Sequence, residues 1–165
     1  MMRHLTTILT CLLLLPLLLL APSCDPEVRE ANINQEKYID DYISKTFADY
    51  EVIRQDGVSR VVIADSLQTA QVIEPGDSVY ILFRGFTFAS GGPSALFVED
   101  EGIYRIGAGD LIKGLDRGLP GSRLGSEVLL LFPSQLGYGK QAVGLVPENT
   151  ALMFDVLVAA IKKNQ

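Results

Sequence analysis

The 165-residue sequence predicts an α+β domain, and three observations carry that expectation. Apolar runs of strand length recur at Val58–Ile63, Glu127–Phe132 and Leu152–Ile161, separated by turn-forming residues. A short, glycine-broken stripe of helical period, Leu111, Ile112, Leu115 and Leu119, lies among them. A Tyr-Gly loop parts the last two strands, so helix, strand, loop and strand follow one another from Gly107 to Asp155. That succession reads as a pocket built for something apolar.

Residues 1–23 are expected to be a signal peptide. Arg3 gives a positive start, Ile8 to Ala21 is an apolar core too short to span a bilayer, and Leu20-Ala-Pro-Ser-Cys24 follows. This ending resembles a bacterial lipobox, with Cys24 as the lipid-modified first residue of the mature protein; the alternative is an ordinary cleaved signal with an incidental cysteine. Lipidation would anchor the protein to a membrane without spanning it. The implied location is the bacterial cell envelope, periplasmic or surface-exposed.

Residues 24–55 are expected to form an acidic leader and an amphipathic helix. Asn32 or Asn34 can cap it, and Tyr38, Ile39, Tyr42, Ile43 and Phe47 recur at spacings of three and four on one face. Such a stripe docks either on its own domain or on a partner, such as a second copy of the chain. Asp56-Gly57 then turns the chain into the Val58–Ile63 strand, opening a domain expected over 56–165, and a polar connection leads to the Pro75-Gly76 turn.

The pocket elements follow. Asp110 is the expected N-cap of the helix that presents Leu111, Ile112, Leu115 and Leu119, with Asp116 an exposed charge on it. Pro120-Gly121 ends that helix, and Pro133, which cannot donate to a ladder, ends the strand from Glu127 to Phe132. In Leu136-Gly137-Tyr138-Gly139 the flanking glycines free the backbone to turn the Tyr138 ring over the helix stripe. Leu152 to Ile161 closes the domain.

Composition removes several classes of chemistry. Cys11 and His4 fall in the signal and Cys24 at its end, so the mature chain has no disulfide, no Cys/His zinc site and no histidine base. No cofactor or metal is expected. Of 14 basic residues only Arg3 is lost with the signal, against all 20 acidic ones retained, and that balance disfavours nucleic acid. Gly91-Gly92-Pro93 lacks the lysine and helix of a phosphate loop.

Four stretches, in order, are similar to the FKBP-type peptidyl-prolyl cis-trans isomerases: Gly107-x-Gly-Asp-Leu-Ile-Lys-Gly-Leu-Asp, Leu-Gly-Ser-Glu, Phe-Pro-x-x-Leu-Gly-Tyr-Gly, and Val-Pro-x-Asn-Thr-x-Leu-x-Phe-Asp-Val. Upstream, Pro75-Gly-Asp-Ser-Val-Tyr-Ile-Leu-Phe-Arg-Gly85 resembles the family's first long strand, so the likeness runs from Asp56 to Ile161. It implies an antiparallel sheet of about five strands curled around the short helix. It also implies a peptidyl-prolyl isomerase that assists folding in the envelope, acting on proline-containing peptides or unfolded envelope proteins.

By the same resemblance the pocket would be lined by Phe83, Phe97, Leu111, Ile112, Leu115, Tyr138 and Phe154, with Leu145 and Val146 flanking its entrance. The Ile112 N–H and the Tyr138 hydroxyl would donate to the peptide. The chain departs from the family where Phe97-Val98 replaces Phe-Asp, where Leu115 replaces a tryptophan, and where Phe83 replaces a tyrosine; Thr87 to Tyr104 matches poorly. A non-catalytic peptide- or protein-binding module is therefore the alternative function. Glu99 or Asp100 could supply the missing acid if the register shifts.

Strand parity makes one further prediction. With Ile81, Phe83, Leu130 and Phe132 pointing into the pocket, Leu129 and Leu131 point out and form an apolar patch on the other face. The Tyr38–Phe47 helix, or a second copy in a homodimer, is expected to cover it.

Overall fold

The computed structural model describes residues 26–164. The expected signal peptide and Cys24 lie outside the described residues. Helix α1 (Pro26–Thr46) leads into strands β1 (Glu51–Gln55), β2 (Val58–Ala64), β3 (Ser78–Ala89) and β4 (Gly92–Arg105), then helix α2 (Lys113–Gly118), strand β5 (Glu127–Phe132), a 3₁₀ turn (Ser134–Leu136) and strand β6 (Ala151–Lys162). The six strands form one sheet in the order β1-β2-β5-β6-β3-β4, with every neighbouring pair antiparallel.

Two strands more than the apolar runs alone foretold are β1 and β4. Both are edge strands, mostly exposed, so neither carries a continuous apolar run. The β1–β2 hairpin closes through Asp56 and Gly57, both at positive φ (50° and 81°). Two left-handed residues in succession match the twist of a two-residue hairpin, which explains the Asp-Gly pair.

The sheet separates two cores. On one face Val79, Ile81, Val128, Leu130, Phe132, Phe154 and Val156 pack with Leu115 and Leu119 of the α2 region. On the other, Val61, Leu131 and Met153 pack with Ile39 and Ile43 of α1, with Tyr38, Tyr42, Phe47 and Leu129 at the margin. Leu131 is 0% exposed, so the outward patch is covered within the chain by the helix predicted to do so. Full burial of each such side chain is worth about 1.5–3 kcal/mol, enough to hold the helix down.

Two helix starts differ from expectation. The chain is already helical at Pro26, the first described residue, so neither Asn32 nor Asn34 caps helix α1. Asn32 instead lies inside the helix, buried like Gln35; the two extend the Ile39–Ile43 stripe with polar groups. Helix α2 begins at Lys113, with Ile112 as its N-cap and no side-chain cap. Asp110 turns back to accept the Arg105 N–H at 3.4 Å, and Asp116 accepts the Gly107 N–H at 3.1 Å.

Candidate active site

The pocket side of the sheet is lined with rings. Phe83, in the middle of β3, meets Phe154 of β6 at 6.0 Å between centroids and Tyr104 of β4 at 6.1 Å. Phe154 stacks on Phe132 at 5.8 Å and meets Phe97 edge-on at 5.7 Å. Edge-to-face contacts at these separations satisfy the aromatic quadrupoles and fix the rings relative to one another.

A bulge aims Phe97. Gly85 pairs with Val98 but the next residue, Phe86, pairs with Leu96, so Phe97 has no partner of its own. The extra residue breaks alternation, and both Phe97 and Val98 pack against the pocket-side core. Gly85 makes this possible: a Cβ there would lie 2.6 Å from Val98 and 2.8 Å from Phe154. Val98 thus packs beside Gly85 on the pocket side of the sheet. Register also locates Asp100, directly opposite Phe83 and hence on the pocket face of β4. Its carboxylate accepts the Glu101 N–H at 2.8 Å, and its charge adds to burial in raising the Tyr104 phenol pKa.

Helix α2 forms the floor. Leu115 is buried, 2% exposed, and Gly114 sits so close to the Phe132 ring that a Cβ would come within 2.4 Å of it. At the C-terminus of α2 the buried Arg60 of β2 donates to the Gly118 carbonyl at 2.8 Å and to that of Pro120. Those contacts occupy carbonyls that the helix leaves unpaired. At the opposite end the Ile112 carbonyl accepts the Leu115 and Asp116 N–H groups, whereas the Ile112 N–H donates to no group among the described residues. Ile112 and Leu111 are half-buried and pack at the edge of the core.

Tyr138 closes the far side. Its ring meets Phe97 edge-on at 6.2 Å, and burial pushes its phenol pKa up, so the hydroxyl stays a proton donor through neutral pH. Its loop is ordered by Gly139 N–H to Ser134 O at 2.8 Å, Gln141 N–H to Tyr138 O at 3.1 Å and Asn149 N–H to Gly139 O at 2.7 Å. Of the two residues expected at the entrance, Leu145 is 69% exposed, but Val146 is 1% exposed. It belongs to the core beneath, because its N–H and carbonyl pair with Val143 and turn the tip of the loop inward.

The structure therefore brings Phe83, Phe97, Leu111, Ile112, Leu115, Tyr138 and Phe154 into one largely aromatic cluster on the α2 side of the sheet. Strand parity had already turned Phe132 toward this face; sequence reasoning missed Tyr104, for which the period-two run Gly102, Tyr104, Ile106 was the available sign. Among the described residues no group of three His, Cys, Asp or Glu is placed to hold a metal.

The model of the family described as FKBP-type peptidyl-prolyl cis-trans isomerase matches residues 70–159. FK506-binding protein 5 of Dictyostelium discoideum is 36% identical over 95 residues, covering 54% of this chain but 6% of the relative. Peptidyl-prolyl cis-trans isomerase FPR2 of Saccharomyces cerevisiae is 32% identical over 108 residues, 64% of this chain and 78% of the relative. The chain thus spans a small part of the one and most of the other. A crystal structure of a peptidyl-prolyl cis-trans isomerase from Pseudomonas syringae superposes with a TM-score of 0.65 at 18% identity, over 82% of this chain and 96% of that one. That likeness is one of fold, the antiparallel sheet wrapped on a short helix; the segment matched by the family model, 70–159, carries every ring of the aromatic cluster and the helix beneath it. The chain belongs to the FKBP-type peptidyl-prolyl cis-trans isomerase family.

Proposed function

We propose that this cavity binds the prolyl ring of an X–Pro peptide and accelerates its cis-trans isomerisation. The observation that carries the reading is the pair of donors left over at the aromatic wall: the Ile112 N–H and the Tyr138 hydroxyl, neither of which donates to a described residue. The amide barrier, roughly 18–20 kcal/mol, is the resonance lost as the C–N bond twists. An apolar surround weakens the charge-separated resonance form of the planar peptide, and fixed donors hold the carbonyls in the twisted geometry. No nucleophile is required. Both X–Pro isomers are populated, being only about 0.5–1 kcal/mol apart, so a catalyst of their exchange has substrate at both ends.

With a lipid on Cys24, the domain would act at a membrane of the bacterial envelope, on proline-containing segments of unfolded proteins. The second reading is a non-catalytic binding module, and what favours it is Val98, an apolar residue packed on the pocket side at the position where the resemblance implies an acid. A protease-free isomerisation assay on X–Pro tetrapeptides separates the two. Acceleration by the wild-type chain that falls in Tyr138→Phe supports catalysis at this cavity. Binding of the same peptides without acceleration supports the module.

A further inference from the structure

We propose that Gln35, on the N-terminal helix and outside the family's matched segment, is a positioning residue for Tyr138. Its side-chain amide bridges the two ends of the loop that carries the tyrosine: Oε1 accepts the Ser134 N–H at 2.7 Å and Nε2 donates to the Asn149 carbonyl at 2.7 Å. Only one orientation of the amide satisfies both partners, since one is a donor and the other an acceptor. The loop completes the circuit. Ser134 O accepts from Gly139 N–H at 2.8 Å, and Gly139 O accepts from Asn149 N–H at 2.7 Å. Four residues thus close a ring of hydrogen bonds through Gly139, the residue next to Tyr138. Gln35 supplies the only link in it that does not come from the loop itself.

The surroundings fit a positioning role. Gln35 is 5% exposed and Ser134 2%, so loss of the amide strands the Ser134 N–H away from water. Among the described residues Asn149 is one of two non-glycine residues with positive φ, at 53°, a conformation that persists only when its neighbours hold it. One turn before Gln35, Asn32 accepts from the Ser134 hydroxyl at 3.3 Å and donates to Gln135 at 3.2 Å, steadying the first end of the loop a second time. The helix that covers the back of the sheet therefore also sets the reach of the Tyr138 hydroxyl on the front.

This rests on the reading of the cavity as a prolyl-peptide site, and its test has one arm that does not. Gln35→Met keeps length and apolar stem but removes both hydrogen bonds; Gln35→Glu keeps the acceptor for Ser134 and serves if the first variant folds poorly. In the full chain we expect amide exchange at Gly139 and Asn149 to quicken at least tenfold, and the Phe97–Tyr138 ring contact to broaden or vanish in NMR spectra. Isomerisation kcat should fall roughly tenfold or more with KM little changed, as for a misaligned group. Adding Tyr138→Phe to Gln35→Met should cost little further, because both remove the same hydroxyl contact. Folded variants with wild-type exchange at Gly139 and Asn149 would overturn the proposal. If the wild-type chain proves inactive, the functional reading fails, and exchange with the ring contact still decides whether Gln35 orders the loop.

Discussion

Phe97 and Tyr138 meet edge-on, ring centroids 6.2 Å apart at 76°, although one comes from a bulge in strand β4 and the other from the loop after β5. Neither is buried as deeply as Phe83 or Phe154, so the pair forms the rim of the aromatic wall rather than its base. Phe97→Leu keeps an apolar rim and deletes the ring contacts with Tyr138 and Phe154. An aromatic pair is worth about 0.5–1.5 kcal/mol beyond its area, so the thermal midpoint should fall by a few degrees. For catalysis the expected mark is a raised KM with kcat nearly unchanged, since a wall binds ground and transition states alike. A collapse of kcat with unaltered KM would remove Phe97 from this role.

Gly114 poses a contest between two effects of known sign. In an exposed helix Gly→Ala stabilises by about 1 kcal/mol, but here the added Cβ would stand 2.4 Å from the Phe132 ring. Phe132 is fully buried and stacked on Phe154, so it cannot swing away cheaply. Overpacking of this kind costs about 1–3 kcal/mol, and Gly114→Ala is expected to destabilise on balance. Denaturant unfolding of the variant reads the sign directly.

How much of this was legible in the sequence depends on where the information sits. Strands β5 and β6 announced themselves because buried, contiguous Val, Leu and Phe need no tertiary context to be recognised, and parity alone turned Leu131 out of the pocket to be covered by the N-terminal helix or a second copy. Strand β4 was hidden: its Glu99-Asp100-Glu101 stretch suits a solvated edge, and the bulge at Phe97 is set by pairing with β3, not by local sequence. Asp110 carries the composition of an N-cap, yet the glycines at 107 and 109, both at positive φ, bend the chain so that its carboxylate meets Arg105 instead. Gln35 gave no signal at all. A polar residue on an amphipathic helix reads as solvated unless the distant Ser134 and Asn149 are known to lie beneath it.

Arg60 ties the cavity floor to the sheet. It is 6% exposed; burial works to lower its pKa and the charge of Glu51 to raise it. A guanidinium remains charged in such a place, so its value lies in the carbonyls of Gly118 and Pro120 that it pairs. Arg60→Met preserves the stem but leaves those carbonyls without donors, a loss of about 1–3 kcal/mol. Because α2 carries Leu115 and starts from Ile112, peptide binding should weaken along with stability. Arg60→Lys, with a point charge in place of the fork, should recover only part of both.

The last strand is fastened by a carboxylate, and this gives the fold an acid limit. Burial pushes the Asp77 carboxyl up, but hydrogen bonds from the Lys163 ammonium and from the Asn164 and Glu74 N–H groups outweigh it and hold the pKa below the usual value. The contacts are short: 2.8 Å from Lys163, 3.0 Å from Asn164 and 2.8 Å from Glu74. A carboxyl whose pKa is lowered in the folded state adds stability that is complete above its unfolded value, about 3.9, and disappears as pH falls through the folded one. Lys163 moves the other way, its pKa raised by Asp77 and Glu74, so its share is complete below about 10.4 and is lost as pH climbs past that value. Asp77→Asn should therefore destabilise the protein at neutral pH and flatten the acid limb of its unfolding midpoint against pH. Two parallel acid limbs, wild-type and variant, would mean that Asp77 is not the group that titrates.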